Sequence, residues 1–253
     1  MSLFDLHGRI ALVTGSSQGI GLALAAGLGE AGATVVLNGR SEDKLQAAAD
    51  HLRRRGITAA TSLFDVTDAS GVRQAIDRIE TGIGPIDILI NNAGIQRRGP
   101  LEDFDADTWR EVMRNNVDSV FLVGQAVARH MIKRRRGKII NIASLQSEAA
   151  RPSIAPYTAS KGAVKNLTKG MCADWAKYGL QINAIGPGYF ATPLNQALID
   201  NPEFNAWLCK RTPAGRWGKV EELQGTAVFL ASHASDFVNG QTIYVDGGVL
   251  AVL

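Results

Sequence analysis

Arg9-Ile-Ala-Leu-Val-Thr-Gly-Ser-Ser-Gln-Gly-Ile-Gly21 is the stretch on which the reading of the fold turns. Its first half is apolar without alternation, as a strand buried on both faces requires. Its second half sets glycines at 15, 19 and 21, in the order G-x-x-x-G-x-G. Residues 20–31 then carry apolar side chains at helical spacing, closed by Gly32. Such a strand–turn–helix lets backbone approach a phosphate, with helix N–H donors and the positive end of the dipole aimed at it. The spacing is not the G-x-G-x-x-G fingerprint. Glycines also make plain strand-to-helix turns, so the weight of this trio comes from its place at the start of a βαβ unit.

The same alternation runs on. The pattern predicts strands at 34–37, 59–64, 86–90, 138–142, 181–185 and 242–245. It predicts helices at 42–55 (with Ser41 as N-cap), 69–82, 107–133, 157–178 and 220–231. Continuous apolar strands between helices predict an α/β protein: a Rossmann-type doubly wound parallel sheet of about seven strands, helices on both faces. No Pro/Gly/Ser linker or repeat divides the sequence, so residues 1–253 read as one domain. Residues 189–217 break the rhythm. They hold Pro193, Pro202 and Pro213 among Tyr189, Phe190, Phe204 and Trp207, which suits an ordered substrate lid better than a disordered loop.

Composition limits the function classes. The chain has 253 residues, 45% apolar and 20% charged, with a formal charge of +3. That charge is too small and too dispersed for a nucleic-acid binder. The one dense basic run, Lys133-Arg-Arg-Arg136, reads as a helix C-terminus. No apolar run reaches membrane-spanning length, and no leader-like segment opens the sequence, so a cytoplasmic protein is expected. Cys172 and Cys209 have neither metal nor redox spacing and read as free thiols; no metal site is expected.

A second stretch carries chemistry. Residues 142–161 read IASLQSEAARPSIAPYTASK. Tyr157 and Lys161, four apart, share one helix face. The strand at 138–142 delivers Ser144 to a sheet's carboxyl edge, and Pro152 and Pro156 are expected to interrupt the chain before the helix. A hydroxyl, a phenol and an ammonium in one pocket suit proton transfer at a substrate oxygen, provided that a hydride carrier sits beside them. Alone, the Tyr157–Lys161 pair is equally a half-buried tyrosine and a snorkelling lysine.

The glycine turn supplies the carrier's site through Gly15, Ser17, Gln18, Gly19, Ile20 and Gly21. The second strand ends Leu37-Asn38-Gly39-Arg40, with no acid for a ribose 2′-hydroxyl and an arginine suited to a 2′-phosphate. NADP is therefore expected over NAD. Asp65 and Val66 are candidates for the adenine edge. Asn92, Ala93 and Gly94 follow the fourth strand as a turn or as a wall beside the cofactor.

With these pieces in order, the chain resembles a classical short-chain dehydrogenase/reductase from end to end. The resemblance rests on 14–21 (TGSSQGIG), 91–94 (NNAG), Asn116, Ser144, Tyr157 with Lys161, Pro187-Gly188 and 245–248 (VDGG). It implies that Tyr157 is the general acid/base, and that Lys161 holds the nicotinamide ribose and lowers the tyrosine pKa. It implies further that Ser144 bonds the reacting oxygen and that Asn116 supports a water relay behind the lysine. Pro187, Gly188 and Thr192 join the cofactor contacts, and a homotetramer is expected. A narrower resemblance, to NADP-linked sugar-acid enzymes of that family, rests on 95–98 (IQRR), 145–148 (LQSE), 187–190 (PGYF), 206–213 (AWLCKRTP) and 234–240 (ASDFVNG). It implies the interconversion of a sugar-acid hydroxyl and ketone.

The loops at the carboxyl edge are polar, as a small-molecule sugar acid needs. Arg97 and Arg151 are the first candidates for its carboxylate, with Gln146 and Tyr189 beside them. Two other readings stay open at this point: a reductase of another carbonyl, such as a 3-oxoacyl carrier substrate, and a non-catalytic nucleotide sensor on the same fold.

Overall fold

The computed structural model describes residues 3–252, apart from the side chain of Leu194. Among them, Ile10–Val13 (β1), Thr34–Gly39 (β2), Ala59–Leu63 (β3), Ile86–Asn91 (β4), Gly137–Ile142 (β5), Leu180–Pro187 (β6) and Thr242–Val245 (β7) form one sheet. Its order is β3-β2-β1-β4-β5-β6-β7, and every neighbouring pair is parallel. The helices are Gly19–Glu30 (α1), Glu42–Arg54 (α2), Ala69–Gly82 (α3), Ala106–Met113 (α4), Ser119–Arg134 (α5), Ala155–Trp175 (α6), Gln196–Ile199 (α7), Pro202–Arg211 (α8) and Gln224–Ala231 (α9).

Strand side chains point alternately to two cores. Ala11, Val13, Val35, Leu37, Ile88 and Ile90 meet Leu24, Leu45, Leu52 and Leu230 from α1, α2 and α9. Leu12, Val36, Leu89 and Ile139 meet Ile76, Val127 and Val164 from α3, α5 and α6 on the other face. Both faces are thus covered, which is why the strands read as unbroken apolar runs. Each fully buried leucine or isoleucine contributes roughly 1.5–3 kcal/mol over exposure, so the scaffold under the site is stiff.

Three expectations are corrected. The helix expected at 107–133 is two helices, α4 and α5, joined by a π turn at Arg114–Asp118 that contains Asn116. The extra residue in that turn is invisible to periodicity. Pro156 does not break the chain ahead of the helix. It lies in the first turn of α6, where its missing N–H would have had no partner anyway. The helix expected at 220–231 opens as a 3₁₀ turn, Val220–Leu223, before α9.

The excursion after β6 carries α7 and α8. A bridge between Phe190 and Gly218 closes its base. Tyr189, Phe204, Trp207 and Trp217 cluster within it, their neighbouring rings 5.3–6.4 Å apart. The Trp217 indole donates to Asn205 Oδ1 at 2.7 Å.

Candidate active site

Strand order reverses between β1 and β4, and ligands of open α/β sheets bind outside the strand ends at such a point. The sequence prepares that crevice with small polar residues. The Thr14 N–H donates to Ile90 O at 3.0 Å, while its Oγ1 accepts the N–H groups of Asn92 and Ala93 at 3.0 and 3.1 Å. Asn92 Nδ2 donates to Thr14 O at 2.9 Å and to Gly15 O at 3.0 Å. Buried Asn38 accepts the Gly15 N–H at 3.3 Å and donates to the carbonyls of Ser62 and Phe64. Thr14 and Asn38 lie within the motifs, but the motifs do not reveal their scaffolding role, because each works by bonding backbone distant in sequence.

The glycines are required one by one. Gly15 and Gly19 have φ of +60° and +59°. A Cβ at Gly21 would lie 2.5 Å from both Asn92 Nδ2 and Gly15 O. At Gly19 a Cβ would meet nothing within 4 Å, so the turn is open to the cleft there. Gln18, the N-cap of α1, makes no side-chain cap bond, which leaves the first-turn N–H groups for an anion. These features fit a bound pyrophosphate.

Two clefts extend from the turn. One, of about 270 Å³, runs past Ser17, Arg40, Asp65, Val66 and Ala93. Arg40 is 69% exposed and pairs with Asp65 Oδ2 only at a long 4.0 Å, a contact weak enough to give way to a phosphate. The other, of about 220 Å³, runs from Gln18, Ile20 and Gly94 to Tyr157, Lys161 and Thr192. A nicotinamide dinucleotide has a place here for both ends.

At the inner end stand the proton-handling groups. Ser144, just beyond β5, is buried and accepts the Gln146 N–H at 3.1 Å. α6 presents Tyr157 and Lys161 on one face, with Lys161 Nζ 5.7 Å from the tyrosine ring centroid. Nζ donates to Ile142 O at 2.6 Å, and burial pushes the ammonium down to about 8. Tyr157 is half-buried beside it. Part of its ring is open to the cleft, but burial pushes the phenol up, against the lowering hydrogen bond with Ser144 and with a further rise from Tyr189. The Lys161 cation, 5.7 Å from the ring centroid, works the other way and favours phenolate by about 3 kcal/mol at an effective dielectric near 20. In the protein without cofactor, burial thus favours the protonated phenol.

Asn116, fully buried in the π turn, does not touch these clefts. It accepts the Ile95 N–H at 2.7 Å and donates to Ile95 O and Ser160 Oγ, both at 2.9 Å. It thereby pins the loop after β4 to the turn of α6 that bears Lys161. π turns recur at functional sites for this reason: they aim a side chain that a regular helix would misdirect.

The substrate side is a cleft of about 100 Å³ that adjoins Ser144 and Tyr157 and is lined by Gln146, Arg151, Pro187, Gly188 and Tyr189. Gln146 Oε1 and Arg151 Nε are buried there without a hydrogen-bond partner. Arg97 does not line it. It forms a fork with Glu111 at 2.8 and 3.0 Å. Its neighbour Arg98 is the one that feels Arg151: burial and then the Arg151 charge push its guanidinium below the ordinary value. Sequence could not separate the two arginines, since adjacent loop residues point in different directions.

A further cleft of about 240 Å³ opens at the opposite, amino-terminal edge of the sheet. Its charges are spent on one another: Asp87 on Arg136 at 2.6 Å and Arg9 at 3.4 Å, Asp236 on Lys138 at 2.7 Å. It is a structural cluster holding strand starts together.

A parallel sheet with a nucleotide turn at its switch point, and a serine, a tyrosine and a lysine beside it, defines a dinucleotide-dependent oxidoreductase. The short chain dehydrogenase family model matches residues 9–203, and the chain belongs to that family. It is 62% identical to gluconate 5-dehydrogenase of Gluconobacter oxydans over 251 residues, covering 99% of this chain and 98% of that one. It is 52% identical to 5-keto-D-gluconate 5-reductase of Escherichia coli, with 99% of each chain covered. A crystal structure of a gluconate 5-dehydrogenase from Burkholderia cenocepacia, in complex with NADP and tartrate, superposes with a TM-score of 0.97. It is 61% identical and covers 99% of this chain and 98% of that one.

Proposed function

We propose that this protein interconverts D-gluconate and 5-keto-D-gluconate with NADP. The observation that carries the reading is the full-length 62% identity to a gluconate 5-dehydrogenase, joined to a cleft in which Ser144, Tyr157 and Lys161 meet the glycine turn. The neighbour solved with NADP supports the cofactor, and Arg40 at the end of β2 is the group that would take its 2′-phosphate.

NADP, when bound, supplies the hydride or accepts it. The first-turn N–H groups of α1 would hold its pyrophosphate, and Lys161 its nicotinamide ribose. In reduction, Tyr157 donates its proton to the ketone oxygen, and its raised pKa keeps that proton in place at neutral pH. Ser144 donates a hydrogen bond to the same oxygen. In oxidation, Tyr157 must first lose its proton to solvent; the resulting phenolate, favoured by the Lys161 ammonium and by the positive charge of an oxidised nicotinamide, then takes the hydroxyl proton. Asn116 positions both loops. Arg151 and Gln146 would meet the carboxylate and a hydroxyl of the sugar acid.

Among the described residues no helix is long and apolar enough to cross a membrane. We place the enzyme in the cytoplasm as a homotetramer, in line with the exposed Trp109 and Phe121 on α4 and α5. The test is an initial-rate panel of gluconate, 5-keto-D-gluconate, other sugar acids and neutral polyols with NADP and NAD, run on wild type and Tyr157→Phe. Selective turnover of gluconate and 5-keto-D-gluconate with NADP, lost about 10²–10⁴-fold in Tyr157→Phe, is expected. Equal turnover of neutral polyols would overturn the substrate, and an active Tyr157→Phe the mechanism.

A further inference from the structure

Arg151 is held in an unusual way for a loop arginine. Its guanidinium stands 5.5 Å from the centroid of Phe204, a residue of α8 in the lid. Its buried Nε has no partner, and its one hydrogen bond is a long 3.5 Å contact to Pro152 O. Arg98 lies near enough to be felt as a second positive charge. Among the described residues no carboxylate pairs with either arginine. Glu111 is taken by Arg97, and Glu148 by Lys165 and the Tyr244 hydroxyl. Two nearby cations, Arg151 half-buried and Arg98 exposed, without an acid between them are a poor arrangement in the free protein and a good one around an anion. Gln146 Oε1, likewise unpartnered on a side chain 6% exposed, lines the same cleft.

Phe204 is fixed from three sides. Its N–H caps back to Asn201 Oδ1 at 2.9 Å, and its ring meets Tyr189 at 5.9 Å and Trp207 at 5.3 Å. Tyr189 also lines the substrate cleft. The aromatic cluster is thus a mount for the Arg151 guanidinium, built from the lid and not from the catalytic elements.

We infer that Phe204 is a specificity-determining positioning residue: by stacking on Arg151 it presents the guanidinium to the carboxylate of a sugar acid, so that the lid selects acids over neutral polyols. The inference deepens the proposed substrate reading and rests on it. It accounts for lid aromatics that the proton-transfer chemistry leaves unused.

The test is a double-mutant cycle of Phe204→Leu and Arg151→Leu. It reads kcat and KM for D-gluconate and for a neutral polyol such as galactitol. It also reads gluconate binding to the NADP-loaded protein by calorimetry. A cation–π contact of this kind predicts a rise of roughly 5- to 30-fold in KM and Kd for gluconate in Phe204→Leu. Little change is expected in kcat, in KM for NADP or in polyol turnover. In the Arg151→Leu background the same Phe204 substitution is expected to add less than about twofold. A Phe204 effect that is undiminished without Arg151, or equal for acid and polyol, overturns the inference and makes Phe204 a plain wall. Failure of the substrate reading is seen separately, as absent gluconate turnover by the wild type. The cycle is then run with 2-dehydro-3-deoxy-D-gluconate and judged by the same two criteria.

Discussion

Lys161 is placed where catalysis wants a cation and stability does not. Its Nζ is buried, its one hydrogen bond goes to Ile142 O at 2.6 Å, and burial lowers its pKa from 10.5 to about 8. That gap is worth about 3 kcal/mol. At pH 7 the ammonium is charged in both the folded and the unfolded chain, so the whole penalty is present. Between about 8 and 10.5 the unfolded chain binds more protons than the folded one, and stability rises with pH until the penalty is gone. Lys161→Met removes the charge and keeps the volume, while leaving Ile142 O without its donor, at a cost of about 1 kcal/mol. The variant without cofactor is therefore expected to be about 2 kcal/mol more stable than wild type at pH 7. That corresponds to roughly 4–8 °C in Tm for a chain of this size. Its advantage shrinks as pH rises from 8 toward 10, and its turnover is lost. Scanning calorimetry of both proteins at pH 7 and pH 9.5 reads this directly. A variant that melts lower than wild type at pH 7, or whose advantage grows with pH, would refute the reasoning, since burial would then not govern the Lys161 ammonium.

Other outcomes follow from the same geometry. Arg40→Asp is expected to lower the ratio of NADP to NAD specificity by on the order of 30-fold, from about 2 kcal/mol for one charge-assisted contact, read as relative kcat/KM. Asn116→Leu strands the Ile95 N–H and C=O and the Ser160 hydroxyl, and is expected to destabilise by about 2–4 kcal/mol in urea melts and to raise KM for NADP. Arg97→Gln breaks only a half-exposed pair with Glu111, so KM for gluconate stays within about twofold of wild type and stability within about 1 kcal/mol. A sevenfold or larger KM change there would return Arg97 to the substrate.

Much of the site was legible in the residues because its chemistry is carried by local spacing. Tyr157 and Lys161 are neighbours on a helix face whatever the rest of the fold does. The glycines at 15, 19 and 21 announce a backbone that must come close to something, and the absence of an acid before Arg40 is a plain reading of one strand end. The substrate side was less legible. Arg97 and Arg98 are adjacent and chemically identical, and only their loop's path sends one to Glu111 and the other toward Arg151. The π turn at Asn116 was hidden because one inserted residue leaves an apolar pattern of this length still readable as a single helix.

By itself, the order of apolar strands and amphipathic helices determined a parallel sheet with two covered faces, because both periods are properties of the backbone. It also determined which residue types could move a proton and hold a dinucleotide. Tertiary structure decided the protonation balance of Tyr157 and Lys161, since burial is a property of everything packed around a group and opposes a charge that spacing alone would favour. It decided, too, that Phe204, some fifty residues beyond Arg151 in the chain, is the surface against which that guanidinium rests. Cations find their partners through space, and the chain's path through the lid sets that distance.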